Sequence, residues 1–285
     1  MKESLKNYID IKLNNLIIKW EEYPFPHAII DNFLPEETFL KIIDSIEKKN
    51  KFEDIKKNFS TYIESNKQVY GDKDLNEILK FPITLLGGEK IKKIFKDFFN
   101  IKKIISLTDF PNYGGYYPFH IMKNKGLLGS HVDHSHSDSG ELHIANAIYY
   151  TSKYWEESWG GETLLLNNNG TKVIKKIKFI PNRLVLFIHS AKSFHAVNKI
   201  CAPDEIKRNT YYMDYYTDNE NKELILNKKN LFYCYHLTTF VPFFPLGFKS
   251  FKFSNIFNLS TYKYLYIYLK YLISRFLRLQ KKISI

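Results

Sequence analysis

The fold is decided by short apolar or alternating runs, among them HIANAIYYT (143–151), RLVLFIH (183–189) and RNTYYMDYY (208–216). Further runs of this kind lie at 104–110, 116–122, 163–166, 172–177 and 193–197. Clusters of Asn, Gly, Ser and Pro separate them, and many short strands with turn signals between them are typical of a sandwich or barrel. The sequence therefore predicts a mainly β fold with an antiparallel core over about residues 102–217.

The chain before this stretch has the pattern of helices that pack on a core. Pro35 suits the first turn of a helix, and Glu36 and Glu37 favour its positive end. Apolar residues recur at helical spacing after Pro35 and again after Gly87-Gly88, at Phe39, Ile42, Ile43 and Ile46 and at Ile91, Ile94, Phe95 and Phe98. We therefore predict flanking helices, within a domain that covers 24–217 between an N-terminal extension (1–23) and a partly helical tail (218–285).

Composition excludes several classes of protein. The chain has 285 residues, of which 44% are hydrophobic and 25% charged, as in an ordinary globular domain. Its two cysteines, Cys201 and Cys234, exclude a disulfide scaffold and a cysteine-based zinc site. The first 20 residues lack the pattern of a signal peptide, and no apolar stretch is long enough to span a membrane. We expect a cytoplasmic protein, with a peripheral position on the membrane left open.

The basic character of the protein belongs to its tail. Residues 240–285 contain eight Lys and Arg and no acidic residue, and so carry +8 of the net +12. The segment 261–282, TYKYLYIYLKYLISRFLRLQKK, would form a basic amphipathic helix. Three interpretations remain open, in order of preference: packing on the protein's own sheet or a second subunit, binding to an anionic membrane surface, and binding to nucleic acid, which we consider unlikely.

Seven of the nine histidines lie between residues 120 and 195. His131 and Asp133 in GLLGSHVDHSHSDSGE (126–141) point the same way if this segment is a strand. A third ligand must come from elsewhere, and His195 ends another apolar run. Two imidazoles and one carboxylate on one face leave open positions, as non-haem Fe(II) requires to hold a cosubstrate and dioxygen.

A second motif of the same kind, His136–Asp138, lies five residues further on. We favour His131 and Asp133 because they follow an apolar run, whereas the second pair lies in a polar stretch typical of a loop. His134 and His136 are expected to be exposed or at the mouth of the site. The sequence does not establish whether either contributes to it.

Arg208 begins the run RNTYYMDYY and shares a strand face with Thr210. A guanidinium forms paired hydrogen bonds with a carboxylate, and a hydroxyl can add one more. These two residues are therefore candidates for binding the distal carboxylate of a dicarboxylic acid.

The order of these motifs resembles a known family. LLGSHVD, then AIYYTSKYWEESWGGETLLL, then NRLVLFIHSAKSFHAV and RNT are similar to the prolyl-4-hydroxylase-like branch of the 2-oxoglutarate/Fe(II) oxygenases. PFPHAIIDNFLPEE at the front is similar to the opening segment of many members. The resemblance runs from about Pro24 to Tyr216.

The resemblance implies a double-stranded β-helix (jelly roll) and a hydroxylase-type dioxygenase that releases succinate and CO2. Fe(II) would be bound by His131, Asp133 and His195, and the 2-oxoglutarate C5 carboxylate by Arg208 and Tyr150, with Thr210 beside them. Ascorbate would be an optional reductant. The implied partners are dioxygen and an organic or peptide substrate, whose identity and site of hydroxylation the sequence does not reveal.

Three positions separate this chain from parts of the superfamily. Met122 stands where many relatives have a tyrosine that contacts the cosubstrate. Asp133 is a carboxylate, whereas halogenating relatives have a small residue there, so the resemblance implies hydroxylation. Asp214 stands six residues after Arg208, where the nucleic-acid-repair branch tends to have a second arginine.

Two other classes of function are also consistent with the sequence. His131, Asp133 and His195 would bind zinc in a non-catalytic jelly-roll module. Alternatively, the protein would be a membrane-associated scaffold in which the tail carries the function.

Tyr113, Tyr116 and Tyr117 could line a substrate groove, although such residues more often pack in a core.

Overall fold

A computed structural model describes residues 17–49, 57–71, 75–110, 117–228, 231–243 and 253–277. Tyr113, Tyr116 and much of the tail's basic charge lie outside these residues. The strands are β1 His27–Ile30, β2 Lys57–Ser60, β3 Glu64–Tyr70, β4 Ile105–Ser106, β5 Phe119–Val132, β6 Leu142–Tyr150, β7 Thr163–Leu166, β8 Val173–Ile177, β9 Leu184–Ile188, β10 His195–Val197, β11 Arg208–Thr217 and β12 Thr239–Phe240. The helices are α1 Glu36–Lys48, α2 Glu77–Leu86, α3 Glu89–Phe99, α4 Asn219–Leu226 and α5 Leu259–Phe276.

The strands form one antiparallel sheet in the order β1-β9-β6-β11-β5-β10-β7-β8. β2, β3, β4 and β12 pair at its margins, β3 and β12 with β5 and β4 with β11. The sheet curls into a half-barrel flanked by helices, and its strands match the predicted runs closely. The mainly β jelly-roll prediction is confirmed.

Helices α1, α2 and α3 pack against one face of the sheet. The predicted apolar face of α1 is buried at Phe39, Ile42, Ile43 and Ile46, and α3 buries Ile91 and Phe95 in the same core. Strand β9 is buried at every position, which explains why its sequence, LVLFI, is continuously apolar rather than alternating. The helices thus cover the face of the sheet that is turned away from the histidine cluster.

Gly160 and Gly161 connect the loop after β6 to β7, and both have positive φ angles, 69° and 73°. A Cβ at Gly160 would lie 2.2 Å from the Lys199 carbonyl oxygen. Gly160 is therefore required for the close approach of its backbone to that of Lys199.

The tail does not project from the domain within the part that the structure describes. β12 pairs with the end of β5, and Phe240 lies opposite His131. In α5, Tyr271 is buried and donates a hydrogen bond of 2.7 Å to the Ala191 carbonyl oxygen. Tyr264 packs on Phe240 with a centroid separation of 5.2 Å. Helix α5 thus packs on the protein's own sheet, while the boundary at residue 217 stays a prediction.

None of the described helices combines the length and the apolar composition that crossing a bilayer would require.

Candidate metal and cosubstrate site

The structure brings His131, Asp133 and His195 together. His131 lies at the end of β5 and pairs across the sheet with His195 of β10. Asp133 follows β5 directly, and one ligand atom from each of the three residues lies within 4.8 Å of the other two. All three side chains are buried. The i, i+2 spacing and the pairing of two strands therefore produce a compact group of two imidazoles and one carboxylate.

Backbone carbonyls orient both imidazoles. His131 Nδ1 lies 2.9 Å from the Gly129 carbonyl oxygen, and His195 Nδ1 lies 3.1 Å from that of Ser193. Because a carbonyl only accepts, Nδ1 carries the proton in each ring and the Nε2 lone pair is free to bind a metal. The Nε2 atoms lie 3.5 and 3.4 Å from the Asp133 carboxylate oxygens.

The protonation states in the group also suit a cation. Burial, with the neighbouring His131 ring, lowers the pKa of His195 to about 4. Burial alone would raise the pKa of Asp133, but the adjacent His195 and His131 hold it well below its usual value. At neutral pH the group therefore presents an uncharged His195 and an ionised carboxylate, the forms that coordinate metal.

A cavity of about 460 Å³ opens beside this group, and His131, Asp133 and His195 all line it. Phe240 of β12 lies on its wall and stacks on His131, with ring centroids 5.0 Å apart. The wall also carries an ion pair of 2.9 Å between Glu64 and Lys67 of β3. Polar and apolar groups share the rest of the lining, including His120, Met122, His134, Arg208, Tyr212 and Asp214.

Arg208 lies on the wall of the same cavity and is only 3% exposed. Its Nε donates to the Gly161 carbonyl oxygen at 2.8 Å, and its guanidinium lies over the rings of Phe179 and Tyr150. Burial lowers its pKa to about 10, so it remains a cation at neutral pH. No carboxylate among the described residues forms an ion pair with it. A buried, unpaired cation is costly, and an anionic ligand in the cavity would offset this cost.

The other predicted cosubstrate residues lie close to Arg208. Thr210 lines the cavity, and the buried Tyr150 hydroxyl lies 2.6 Å from Thr163 Oγ1. Thr163 lies between Tyr150 and Arg208, and the Arg208 Nη2 atom lies 3.4 Å from Thr163 Oγ1. Nothing in the sequence around Thr163 distinguishes it from other strand threonines, so its place beside Arg208 could not be predicted. Met122 pairs across the sheet with Arg208 and also lines the cavity.

His134 and His136 differ in position. His134 lines the cavity, and its Nε2 lies 2.8 Å from the Tyr216 hydroxyl. The His136 ring is hydrogen-bonded to the Ser135 hydroxyl and does not line the cavity. Of the two predicted His/Asp motifs, only His131–Asp133 contributes both of its members to the cavity wall.

A second cluster, His134, His143 and Asp214, also brings its ligand atoms within 4.8 Å of one another. However, both ring nitrogens of His143 face acceptors: Nδ1 lies 2.9 Å from the His134 carbonyl oxygen, and Nε2 lies 3.2 Å from Asp214. Burial would lower the pKa of His143, but Asp214 raises it above its ordinary value. We infer that His143 is an imidazolium ion paired with Asp214. The sequence does not predict this pair, because the pair depends on the register of β6 and β11.

Buried neutral histidines predict acid sensitivity of the metal-free protein. Burial lowers the pKa of His236 from 6.5 to about 3 and that of His189 well below 6.5. Below pH 6.5 the unfolded chain therefore binds protons that the folded protein does not, and stability falls as the pH is lowered. We expect a loss of a few kcal/mol, since one pKa unit corresponds to about 1.4 kcal/mol. His143 acts in the opposite direction, because its raised pKa stabilises the fold at low pH.

Urea unfolding in EDTA, at pH values around and below 6.5, would measure how the free energy of unfolding depends on pH. The variant His236→Phe serves as the comparison. The variant should show a weaker dependence on pH than the wild type. Identical dependence in the two proteins would contradict the assignment of His236 as a neutral buried group.

Part of the chain is similar to known proteins. Residues 117–213 match the family model of the 2OG-Fe(II) oxygenase superfamily. A search of curated proteins found no significant match. Two solved structures illustrate the similarity. A Pseudomonas putida prolyl-4-hydroxylase is 12% identical with a TM-score of 0.49, and the alignment covers 74% of this chain and 98% of that one. A prolyl 4-hydroxylase structure from Phytophthora capsici is 14% identical with a TM-score of 0.47, and the alignment covers 97% of this chain and 84% of that one. Residues 117–213 are thus similar to the 2OG-Fe(II) oxygenase superfamily.

Proposed function

We propose that the protein is a 2-oxoglutarate- and Fe(II)-dependent dioxygenase that hydroxylates an organic or peptide substrate and releases succinate and CO2. His131, Asp133 and His195 would bind Fe(II), and Arg208 would bind the C5 carboxylate of 2-oxoglutarate, with Tyr150 and Thr210 nearby. The observation that carries the proposal is that the histidine–aspartate group and a buried, unpaired arginine line one cavity.

Bound Fe(II) and 2-oxoglutarate would supply the oxidising chemistry, with ascorbate as an optional reductant. The protein's own residues would bind and orient the reactants. Carbonyls at Gly129 and Ser193 fix the tautomers of the two imidazoles, as described above. The side chains of Met122, Leu128 and Phe240 form an apolar part of the cavity wall that would limit access of water to the site.

The volume and the lining of the cavity indicate which substrates would fit. Its volume of about 460 Å³ is sufficient for a small molecule or one side chain of a peptide together with the cosubstrate. Hydrogen-bonding groups on its wall, His120, His134 and Tyr212, favour a substrate that carries polar groups near the reacting carbon. A prolyl residue in a peptide remains one member of this class, as the resemblance to the prolyl-4-hydroxylase-like branch implies.

A non-catalytic zinc-binding module is the main alternative. Such a module needs the two imidazoles and the carboxylate but has no use for a buried arginine without a counter-ion. Arg208 therefore favours the oxygenase. Succinate release from 2-oxoglutarate by the purified protein, with Fe(II) added and with Zn(II) in its place, tests the choice. We expect succinate with Fe(II) only, and its absence with both metals, across candidate substrates, would contradict the proposal.

We also propose that the outer face of α5 binds an anionic membrane surface. A stripe of exposed residues runs along this helix at alternating spacings of three and four: Leu259, Tyr262, Tyr266, Leu269, Ile273 and Phe276. Lys263 and Lys270 lie next to the stripe, and residues 240–285 contain no acidic residue. An apolar stripe flanked only by positive charge is complementary to anionic lipid.

Vesicle sedimentation tests this surface. The double variant Leu269→Glu/Ile273→Glu should reduce binding to phosphatidylglycerol-containing vesicles several-fold, because it places two negative charges on the apolar stripe. Leu224→Glu is the matched control, since Leu224 is an exposed leucine on α4. Equal sedimentation of the double variant, the control and the wild type would contradict membrane binding by α5.

A further inference from the structure

Asn146 lies on β6 beneath the histidine–aspartate group and is fully buried. Its Nδ2 lies 3.3 Å from Asp133 Oδ2, 2.7 Å from Asp214 Oδ1 and 2.6 Å from the Tyr212 hydroxyl. Ionised carboxylates only accept hydrogen bonds, so the nitrogen end of the amide must face them. One neutral amide therefore connects the carboxylate of Asp133 with a second carboxylate, that of Asp214 on β11.

Tyr212 provides a second contact with the same carboxylate. Its hydroxyl accepts from Asn146 and donates to Asp133 Oδ2 at 3.3 Å. Asp133 Oδ2 thus accepts a hydrogen bond from the Tyr212 hydroxyl of β11. The Asn146 amide has two hydrogens for three acceptors, and its shorter contacts are with Asp214 and Tyr212, so that it holds the Tyr212 hydroxyl and touches Asp133 Oδ2 only at 3.3 Å. Together the two side chains restrict rotation of the carboxylate about its Cβ–Cγ bond.

The register of the sheet holds these donors in place. Asn146 and Asp214 are directly opposed in the pairing of β6 with β11. Asp214 is in turn faced by the His143 imidazolium at 3.2 Å. This ion pair compensates the charge of the second carboxylate, so that only Asp133 remains without a counter-ion among the two carboxylates near Asn146.

We propose that Asn146 is a positioning residue for metal binding and that Tyr212 assists it. The two residues fix the orientation in which Asp133 presents its carboxylate, as hydrogen-bond partners of metal ligands commonly do. The inference rests on the proposed function, since it takes Asp133 as a metal ligand. It adds roles for Asn146 and Tyr212, which the sequence patterns around His131 and Arg208 do not single out.

Anaerobic Co(II) titration, followed by the visible spectrum of the bound ion, measures the role of Asn146 without requiring turnover. Asn146→Ala should lower Co(II) affinity by roughly 10–100-fold, the usual effect of removing a hydrogen-bond partner of a ligand. Asn146→Asp should lower Co(II) affinity as well, because the variant keeps the shape but replaces the donor with a third carboxylate. Tyr212→Phe retains the ring and should cause a smaller loss of affinity.

Asn209→Ala is the matched control. Asn209 is a buried asparagine of β11 that lines a different cavity. It should alter thermal stability at most and leave Co(II) affinity unchanged. If Asn146→Ala and Tyr212→Phe bind Co(II) as tightly as the wild type, the positioning role is wrong. If Asn146→Ala does not fold, the Co(II) affinity of Tyr212→Phe alone tests the positioning role. A wild-type protein that binds no Co(II) would instead overturn the metal site itself.

Discussion

His131→Ala is expected to remove high-affinity Fe(II) binding and with it nearly all 2-oxoglutarate turnover. Only three side chains form the group, and the loss of His131 leaves one imidazole and one carboxylate. The reduction should clearly exceed the roughly 10–100-fold effect that follows loss of a residue outside the ligand set. Metal titration by competition with a chromophoric chelator measures affinity, and succinate release measures turnover.

His136→Ala is the matched control for this variant. It belongs to the second His/Asp motif of the same segment, and its ring does not line the cavity. We expect wild-type metal affinity in His136→Ala. A larger loss of affinity in His136→Ala than in His131→Ala would show that the wrong motif has been assigned.

Arg208→Ala is expected to raise the KM for 2-oxoglutarate by at least about 30-fold. Removing one partner of a buried charged hydrogen-bonded pair costs about 2–5 kcal/mol, and 1.4 kcal/mol is a factor of ten. Affinity for the metal alone should change little, because Arg208 is not part of the metal group. Arg208→Lys should recover part of the loss, since lysine retains the charge but not the planar fork. Steady-state kinetics with varied 2-oxoglutarate, together with metal titration, separate these effects.

Arg183→Ala provides the control for loss of a buried arginine. Arg183 forms an ion pair with Asp31 and donates to the Lys178 carbonyl oxygen, outside the cavity. It should lower thermal stability without changing the KM for 2-oxoglutarate. A KM for 2-oxoglutarate that is the same in Arg208→Ala as in the wild type would contradict the assigned role of Arg208.

Much of the fold could be predicted because its signals are local. Alternating runs and turn clusters mark the strands, and the spacing of His131 and Asp133 places both on one side of a strand end. The same spacing does not indicate the third ligand, since His195 is 62 positions beyond Asp133 in the sequence. Only the apolar run before His195 and the resemblance to a family point to it.

Other features depend on the register between strands, which the sequence does not display. Asn146 faces Asp214 only because β6 and β11 pair as they do. The pairing of Phe240 with His131 likewise joins residues more than 100 positions apart. The sequence favours packing of the tail on the protein's own sheet or a second subunit, but it does not predict the short strand and the aromatic ring that the tail places beside the metal group.

Anaerobic titration of the purified protein with Fe(II) and 2-oxoglutarate tests the central claim most directly. The account predicts a visible charge-transfer band that requires both additions, disappears in His131→Ala and weakens in Arg208→Ala. Absence of the band in the wild type, with Zn(II) bound tightly instead, would contradict the oxygenase assignment and favour a metal-binding module.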